Sequence, residues 1–159
     1  MNPGREEIFG HKAYHSLSEI EGDVDLVILC TPQKTILSLL REAAGKNCGG
    51  AVVFASGYSE TGAEGKELQR ELVREADRLG IAVMGPNCAG FANFIDGIFA
   101  FAFLVEERDR SGNIGMISQS GQIVLGGLDS PNMGFSHVIS SGNSCNVKVD
   151  CLLYTSDAA

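Results

Sequence analysis

The feature that most constrains this chain is an alternation in its first half, where short apolar runs are each followed by an amphipathic stretch. Residues 24–30 (Val-Asp-Leu-Val-Ile-Leu-Cys) form a near-continuous β-branched and leucine run, the pattern of a strand buried on both faces of a parallel sheet. Thr31-Pro32 then opens a helix, because Thr is a good N-cap and Pro is favoured at the first helical position. Ile36, Leu37, Leu40 and Ala44 make its apolar stripe, and Gly45 is its expected stop. Residues 51–55 (Ala-Val-Val-Phe-Ala) are the second strand. Thr61-Gly62-Ala63-Glu64 has the spacing of a capping box. The helix it opens carries Leu68, Leu72, Ala76 and Leu79 on one face and Glu67, Arg70, Arg74 and Arg78 elsewhere. Gly80 ends that helix, and residues 81–84 (Ile-Ala-Val-Met) are a third strand. Strands and helices alternating with short joints require right-handed crossovers, so the fold class is α/β with a parallel sheet.

After Asn87 the pattern changes. Residues 91–103 are rich in Phe, Ala and Gly without a clean period, and 106–110 form a charged break. A second unit begins at Gly112, with a strand at 114–117, the turn Ser118-Gln119-Ser120-Gly121, a helix through Leu128 and a further strand at 138–140. The expected organisation is one α/β unit over 1–95, a linker over 96–111 and the start of a second unit over 112–150. Both ends look cut: the first residues are turn-like, and about 40 residues are too few for the second unit to close a core. The last nine residues, 151–159 (Cys-Leu-Leu-Tyr-Thr-Ser-Asp-Ala-Ala), resemble a translated transposase-type sequencing adapter and are expected to be read-through with few core contacts.

Composition narrows the function classes. The chain has 159 residues, 44% hydrophobic and 20% charged, which excludes a disordered tail. No apolar stretch reaches the ~18–20 residues of a membrane helix, and no secretory h-region follows Met1, so no membrane or export role is expected. Twenty acids against twelve bases give a net charge of −8, which implies no nucleic-acid partner. An anionic cofactor stays open, because helix N-termini and backbone amides bind phosphate without lysines. The five cysteines are scattered, without zinc spacing, and their odd number suits reduced thiols and a cytoplasmic setting. No metal site is expected.

In a parallel sheet, ligands bind beyond the carboxyl ends of the strands. Here those ends are Cys30-Thr31-Pro32, Ala55-Ser56-Gly57-Tyr58 and Met84-Gly85-Pro86-Asn87, all with small or polar groups that let a ligand approach backbone amides. Any one of them could merely cap or turn; three on one edge favour a ligand. Ser118-Gln119-Ser120-Gly121 lies between a strand and a helix, the arrangement of an anion site at a helix N-terminus, with a plain Ser N-cap as the alternative. It is not a lysine-bearing P-loop. His11, His15 and His137 have no partner at useful spacing, Ser118 and Ser120 have no visible base, and Cys30 and Cys88 are expected to pack rather than react.

Taken in order, these motifs resemble a family. Residues 25–28 through Thr31-Pro32, Ser56-Gly57-Tyr58-Ser59-Glu60-Thr61-Gly62 through Gly65, and Gly85-Pro86-Asn87-Cys88-Ala89-Gly90 match it, as do Gly112-Asn113-Ile114 through Gly121 and Gly134-Phe135-Ser136 through Ser141-Gly142-Asn143. They are similar to the NDP-forming acyl-CoA synthetases, including ADP-forming acetate–CoA ligases, relatives of the succinyl-CoA synthetase α subunit. The likeness covers nearly all of 2–150.

It implies a Rossmann-like CoA-binding domain followed by the start of a flavodoxin-like ligase domain. Members of the family join a carboxylic acid to CoA at the expense of a nucleoside triphosphate, through an acyl phosphate and a phosphohistidine. By this likeness Thr31, Pro32, Ser56, Gly57 and Asn87 line the CoA site, while Ser118, Gln119, Ser120 and Gly121 hold the phosphoryl group. The family's first strand and Gly-rich CoA-phosphate loop are missing here. The phosphohistidine and the nucleotide-grasp domain that uses ATP and Mg²⁺ also fall outside, so no residue here is expected to be catalytic and the fragment alone is expected to be inactive. Two other readings stay open: a non-catalytic CoA-binding regulatory module of an acyltransferase, and a nicotinamide-dependent oxidoreductase that shares only the fold.

Overall fold

The computed structural model describes residues 1–2, 4–105 and 111–156, so the charged break expected at 106–110 lies outside the described residues. The chain opens with a small antiparallel hairpin of β1 (Glu7–Ile8) and β2 (His11–Lys12), where the sequence suggested only turns. The α/β unit follows as β3 (Leu26–Leu29), α1 (Ile36–Ala44), β4 (Gly50–Val53), α2 (Ala63–Leu79) and β5 (Ala82–Met84). Its three strands are parallel in the order β3-β4-β5, as the alternation predicts.

Both helices cover the same face of this sheet. Val27, Leu29, Ala51, Val53 and Val83 point into one cluster with Ile36, Leu40 and Ala43 of α1 and Leu72 and Ala76 of α2. Fully burying Ile36 and Leu40 contributes about 1.5–3 kcal/mol each. The other face is built differently. Val52 and Met84 pack there against Ala100, leaving Ile28 of the edge strand β3 45% exposed. The expectation that residues 24–30 are buried on both faces therefore fails for β3, because the second layer stops short of the edge strand.

Helix entries also differ from the sequence reading. A 3₁₀ turn, Gln33–Thr35, precedes α1, so Thr35 rather than Thr31 sits at its N-cap. The Thr61 hydroxyl donates to the Tyr58 carbonyl (2.8 Å), and Gly62 occupies the N-cap of α2, so there is no capping box. The glycine that α2 needs is Gly65: a Cβ there would lie 1.8 Å from the Tyr58 carbonyl oxygen. The expected stops hold, with Gly45 after α1 and Gly80, left-handed at φ +70°, after α2.

The remaining strands form a second sheet in the order β7-β6-β9-β8. Its members are β6 (Gly90–Asn93), β7 (Ile98–Phe101), β8 (Ser111–Ser118) and β9 (Phe135–Ser140), with α3 (Gly121–Leu128) between the last two. β8 and β9 are parallel, whereas β6 runs antiparallel to both of its neighbours, β7 and β9. The stretch 96–111, expected as a linker, thus contains β7, and β6 pairs directly with β9. Val124 of α3, Phe135, Val138 and Ala92 make this sheet's core. α4 (Val149–Ser156) follows, and its Leu152 packs beside Val52 and Met84. Part of the segment expected to make few core contacts does reach the core, because apolar residues follow Val149 at helical spacing. No described helix is long and apolar enough to cross a membrane.

Candidate functional site

The carboxyl edge of β3-β4-β5 meets the start of α3 across a cleft of about 410 Å³ lined by Ser59, Asn87, Gln119, Ser120, Gly142 and Asn143. Residues of both sequence-predicted groups face the same space: Asn87 from the strand edge, and Gln119 and Ser120 from the turn. Thr31, Pro32, Ser56 and Gly57 stand on the same edge beyond this cleft. A Cβ on Gly57 would come 3.8 Å from Cβ of Gln33, so the 56–57 loop adjoins the turn after Pro32. The Thr35 hydroxyl donates to the Thr31 hydroxyl at 2.9 Å.

The Ser118–Gly121 turn has the expected form. Ser120 is the N-cap of α3 with extended backbone, and its own amide donates to the Ser118 hydroxyl oxygen at 3.1 Å. The following amides, of Gly121, Gln122 and Ile123, have no intrahelical acceptor and carry the partial positive charge of the helix end. The Ser120 side chain makes no capping bond, leaving its hydroxyl on the cleft wall. Gly121 has a packing reason as well: a Cβ there would sit 3.2 Å from Cβ of Ala89 and 3.7 Å from the Phe103 ring.

Three features were not anticipated. Ser59, Gly142 and Asn143 line the cleft, although Ser141-Gly142-Asn143 is itself a small polar run after a strand and carried the same signal as the other strand ends. Secondly, the amides of Gly57 and Tyr58 both donate to Glu60 Oε1, at 2.6 and 3.2 Å, so those two amides are engaged within the loop. Burial alone would raise the Glu60 carboxyl, but hydrogen bonds from Asn143 and from these amides outweigh it and hold it below the ordinary range. Thirdly, a groove of about 420 Å³ beside the cleft is lined by Ser59, Lys66, Gln69, Arg70, Val73 and Arg74, which gathers bases on one face of an acidic chain.

The cysteines and histidines separate cleanly. The Cys88 thiol donates to the Val53 carbonyl, and burial pushes its pKa up to about 11, which suits packing. Cys30 is exposed, contrary to expectation, because it follows the uncovered end of β3. His11 lies on β2, His15 contacts Glu6 at 3.2 Å, and His137 is an exposed residue of β9; none lines the cleft. Among the described residues no cluster of three His, Cys, Asp or Glu side chains could hold a metal ion.

Comparison with known proteins agrees with this layout. Residues 1–93 match the CoA binding domain family, and residues 111–158 match the succinyl-CoA ligase like flavodoxin domain. The chain is 37% identical to the alpha subunit of acetate–CoA ligase [ADP-forming] II of Pyrococcus furiosus, over 99% of this chain and 35% of that protein. It is 39% identical to acetate–CoA ligase [ADP-forming] I of Archaeoglobus fulgidus, over 90% of this chain and 21% of that protein. Among solved structures, the dinucleotide forming acetyl-coenzyme A synthetase 1 of Ca. Korarchaeum cryptofilum, in complex with phosphate and ADP, superposes with a TM-score of 0.91. That protein is 30% identical, with 100% of this chain and 34% of it covered. The chain thus spans about a third or less of these relatives. With more than half of its residues matched, the chain belongs to the CoA binding domain family.

Proposed function

We propose that this chain supplies the CoA-binding edge and a phosphate-binding turn of an acyl-CoA ligase, which joins a carboxylic acid to CoA with release of ADP and phosphate. The observation that carries the reading is the shared cleft, where Asn87 of the sheet edge faces Gln119 and Ser120 of the turn. The relatives named as ADP-forming acetate–CoA ligases support the reaction class.

The residues present fit the two ligand groups. Thr31, Pro32, Ser56, Gly57 and Asn87 offer a small, polar edge for CoA, and Lys66 in the neighbouring groove, where Arg70 and Arg74 are paired with Glu67, suits its anionic part. The cleft walls are neutral amides and hydroxyls, the donor set that a phosphoryl group needs in the absence of a metal ligand cluster. Ser118 fixes the turn by accepting the Ser120 amide, Ser120 presents its hydroxyl, and Gly121 lets the helix end approach Ala89 closely. ATP and Mg²⁺ would enter through a nucleotide-grasp part of the whole protein, and the phosphorylated histidine would lie elsewhere in that protein, outside the residues matched here.

Calorimetric titration of the whole protein containing this chain with CoA tests the reading. Binding by the unsubstituted protein is expected, with weaker binding by Asn87→Gly. That variant keeps the positive φ of +54° at this position while removing the amide side chain. Ser120→Ala is expected to leave CoA affinity near the parent value and, in the whole protein, to lower the phosphoenzyme formed with ATP and Mg²⁺. A whole protein that shows no heat with CoA sinks the proposal.

A further inference from the structure

Asn143 joins three parts of the molecule. Its amide donates to the Pro86 carbonyl at 2.9 Å, and its carbonyl accepts Nε2 of Gln69 at 3.0 Å. Its side-chain Nδ2 donates to Glu60 Oε2 at 2.5 Å and faces Gln69 Oε1 at 3.2 Å. Both of those neighbours are acceptors, which fixes the orientation of the Asn143 amide. On the far side, Glu60 Oε1 holds the amides of Gly57 and Tyr58, and Gln69 Oε1 accepts the amide of Ser59 at 3.2 Å. Two residues before Asn143, the Ser141 amide donates to the Ser118 carbonyl at 2.9 Å. One chain of contacts therefore runs from the 57–60 loop, through Glu60 and Asn143, to the first residue of the phosphate turn.

We propose that Glu60 and Asn143 are positioning residues whose mutual hydrogen bond locks the CoA-edge loop to the segment behind the phosphate turn, so that CoA affinity depends on a contact between the two sheets. The proposal rests on the CoA reading given above. Glu60 does not line the cleft, and its carboxylate is spent on Gly57, Tyr58 and Asn143, so it acts through the loop it holds. Simple electrostatics argues the opposite effect, since a carboxylate beside an anionic ligand repels it and its removal should tighten binding.

That opposition gives the test. Glu60→Gln keeps a carbonyl oxygen for the two loop amides but sets its NH₂ against the NH₂ of Asn143. Adding Asn143→Asp restores a donor–acceptor pair with its polarity reversed and returns the net charge to that of the parent. Calorimetry with CoA on the whole protein should show Glu60→Gln binding about three- to tenfold more weakly, the loss of a charge-assisted hydrogen bond. The double variant should recover part of that affinity, because it remakes the 60–143 pair while turning a carboxylate oxygen toward Gln69 Oε1, which faces Asn143 Nδ2 at 3.2 Å in the parent. Tighter or unchanged binding by Glu60→Gln overturns the proposal, as does a double variant no better than the single one. If the unsubstituted protein does not bind CoA, the CoA reading and this proposal fall together; if it binds and the variants behave alike, only the bridge falls.

Discussion

Replacing Gly142 with alanine isolates how tightly the two sheets are held together. The backbone at 142 has φ +56°, and a Cβ there would lie 2.5 Å from both the Pro86 and the Asn87 carbonyl oxygens. A comfortable carbon–oxygen contact needs about 3.3 Å, so the 141–145 segment must retreat by about 0.8 Å. Neither obstacle is a side-chain tip that can swing away. The left-handed backbone costs alanine about 1–2 kcal/mol, and crowding of two backbones adds about 1–3 kcal/mol. The expected total is about 2–5 kcal/mol, or a fall of roughly 5–15 °C in the unfolding midpoint for a chain of this size. Gly97→Ala is the control, because its φ is +68° and a Cβ there meets nothing within 4 Å, so it carries the backbone cost alone. Urea unfolding of both variants, compared at equal m, separates the two contributions. If Gly142→Ala is no less stable than Gly97→Ala, the close approach of these segments is not what the geometry says.

Two further outcomes follow from features away from the cleft. Hydrogen bonds from Arg78 and then Arg41 drive the Glu75 carboxyl down to about 2, against an ordinary 4.5. Because its pKa is depressed in the folded state, Glu75 stabilises the protein above about pH 4.5 and loses that contribution as pH falls toward 2. Glu75→Gln should flatten the midpoint-against-pH curve in that window, and a slope equal to the parent's refutes the assignment. Removing 151–159 should cost about 1 kcal/mol or less, the partial burial of Leu152, in a thermal melt. A much larger loss refutes the view of these residues as dispensable.

What could be read from the sequence followed the range of the interaction that specifies it. The strands of the first sheet announce themselves as short continuous apolar runs and its helices through a period of 3.6, since each helix buries its own stripe. Helix entries were misread because they depend on where a single hydroxyl goes. Thr61 spends its hydroxyl on the Tyr58 carbonyl rather than on α2, and the 3₁₀ turn at Gln33–Thr35 moves the start of α1 beyond Thr31. The β6–β7 hairpin hides among phenylalanines and glycines because its strands have only four residues each, too few for alternation to stand out. Its turn carries a signal that the linker reading of 96–111 passed over, Asp96-Gly97, and in the structure Asn93 Oδ1 accepts the amides of Ile95 and Asp96.

The cleft was legible residue by residue but not as one place. Asn87 and Ser120 each carried a local reason to meet a ligand, yet their meeting depends on β9 pairing with both β6 and β8. That pairing delivers Ser141-Gly142-Asn143 to the gap between the sheets, where Asn143 reaches Glu60 across 83 positions of sequence. No local period encodes such a contact, and a carboxylate followed by two small residues reads as a solvated turn until its partner is in view. The same long-range dependence makes the joint between the sheets the part of the molecule where conservative substitutions should matter most. Exchanging donor for acceptor at Glu60 or Asn143 changes little in size or helix propensity, but it acts on a contact that, with Gln69, ties the 57–60 loop to the segment beside the Ser118–Gly121 turn.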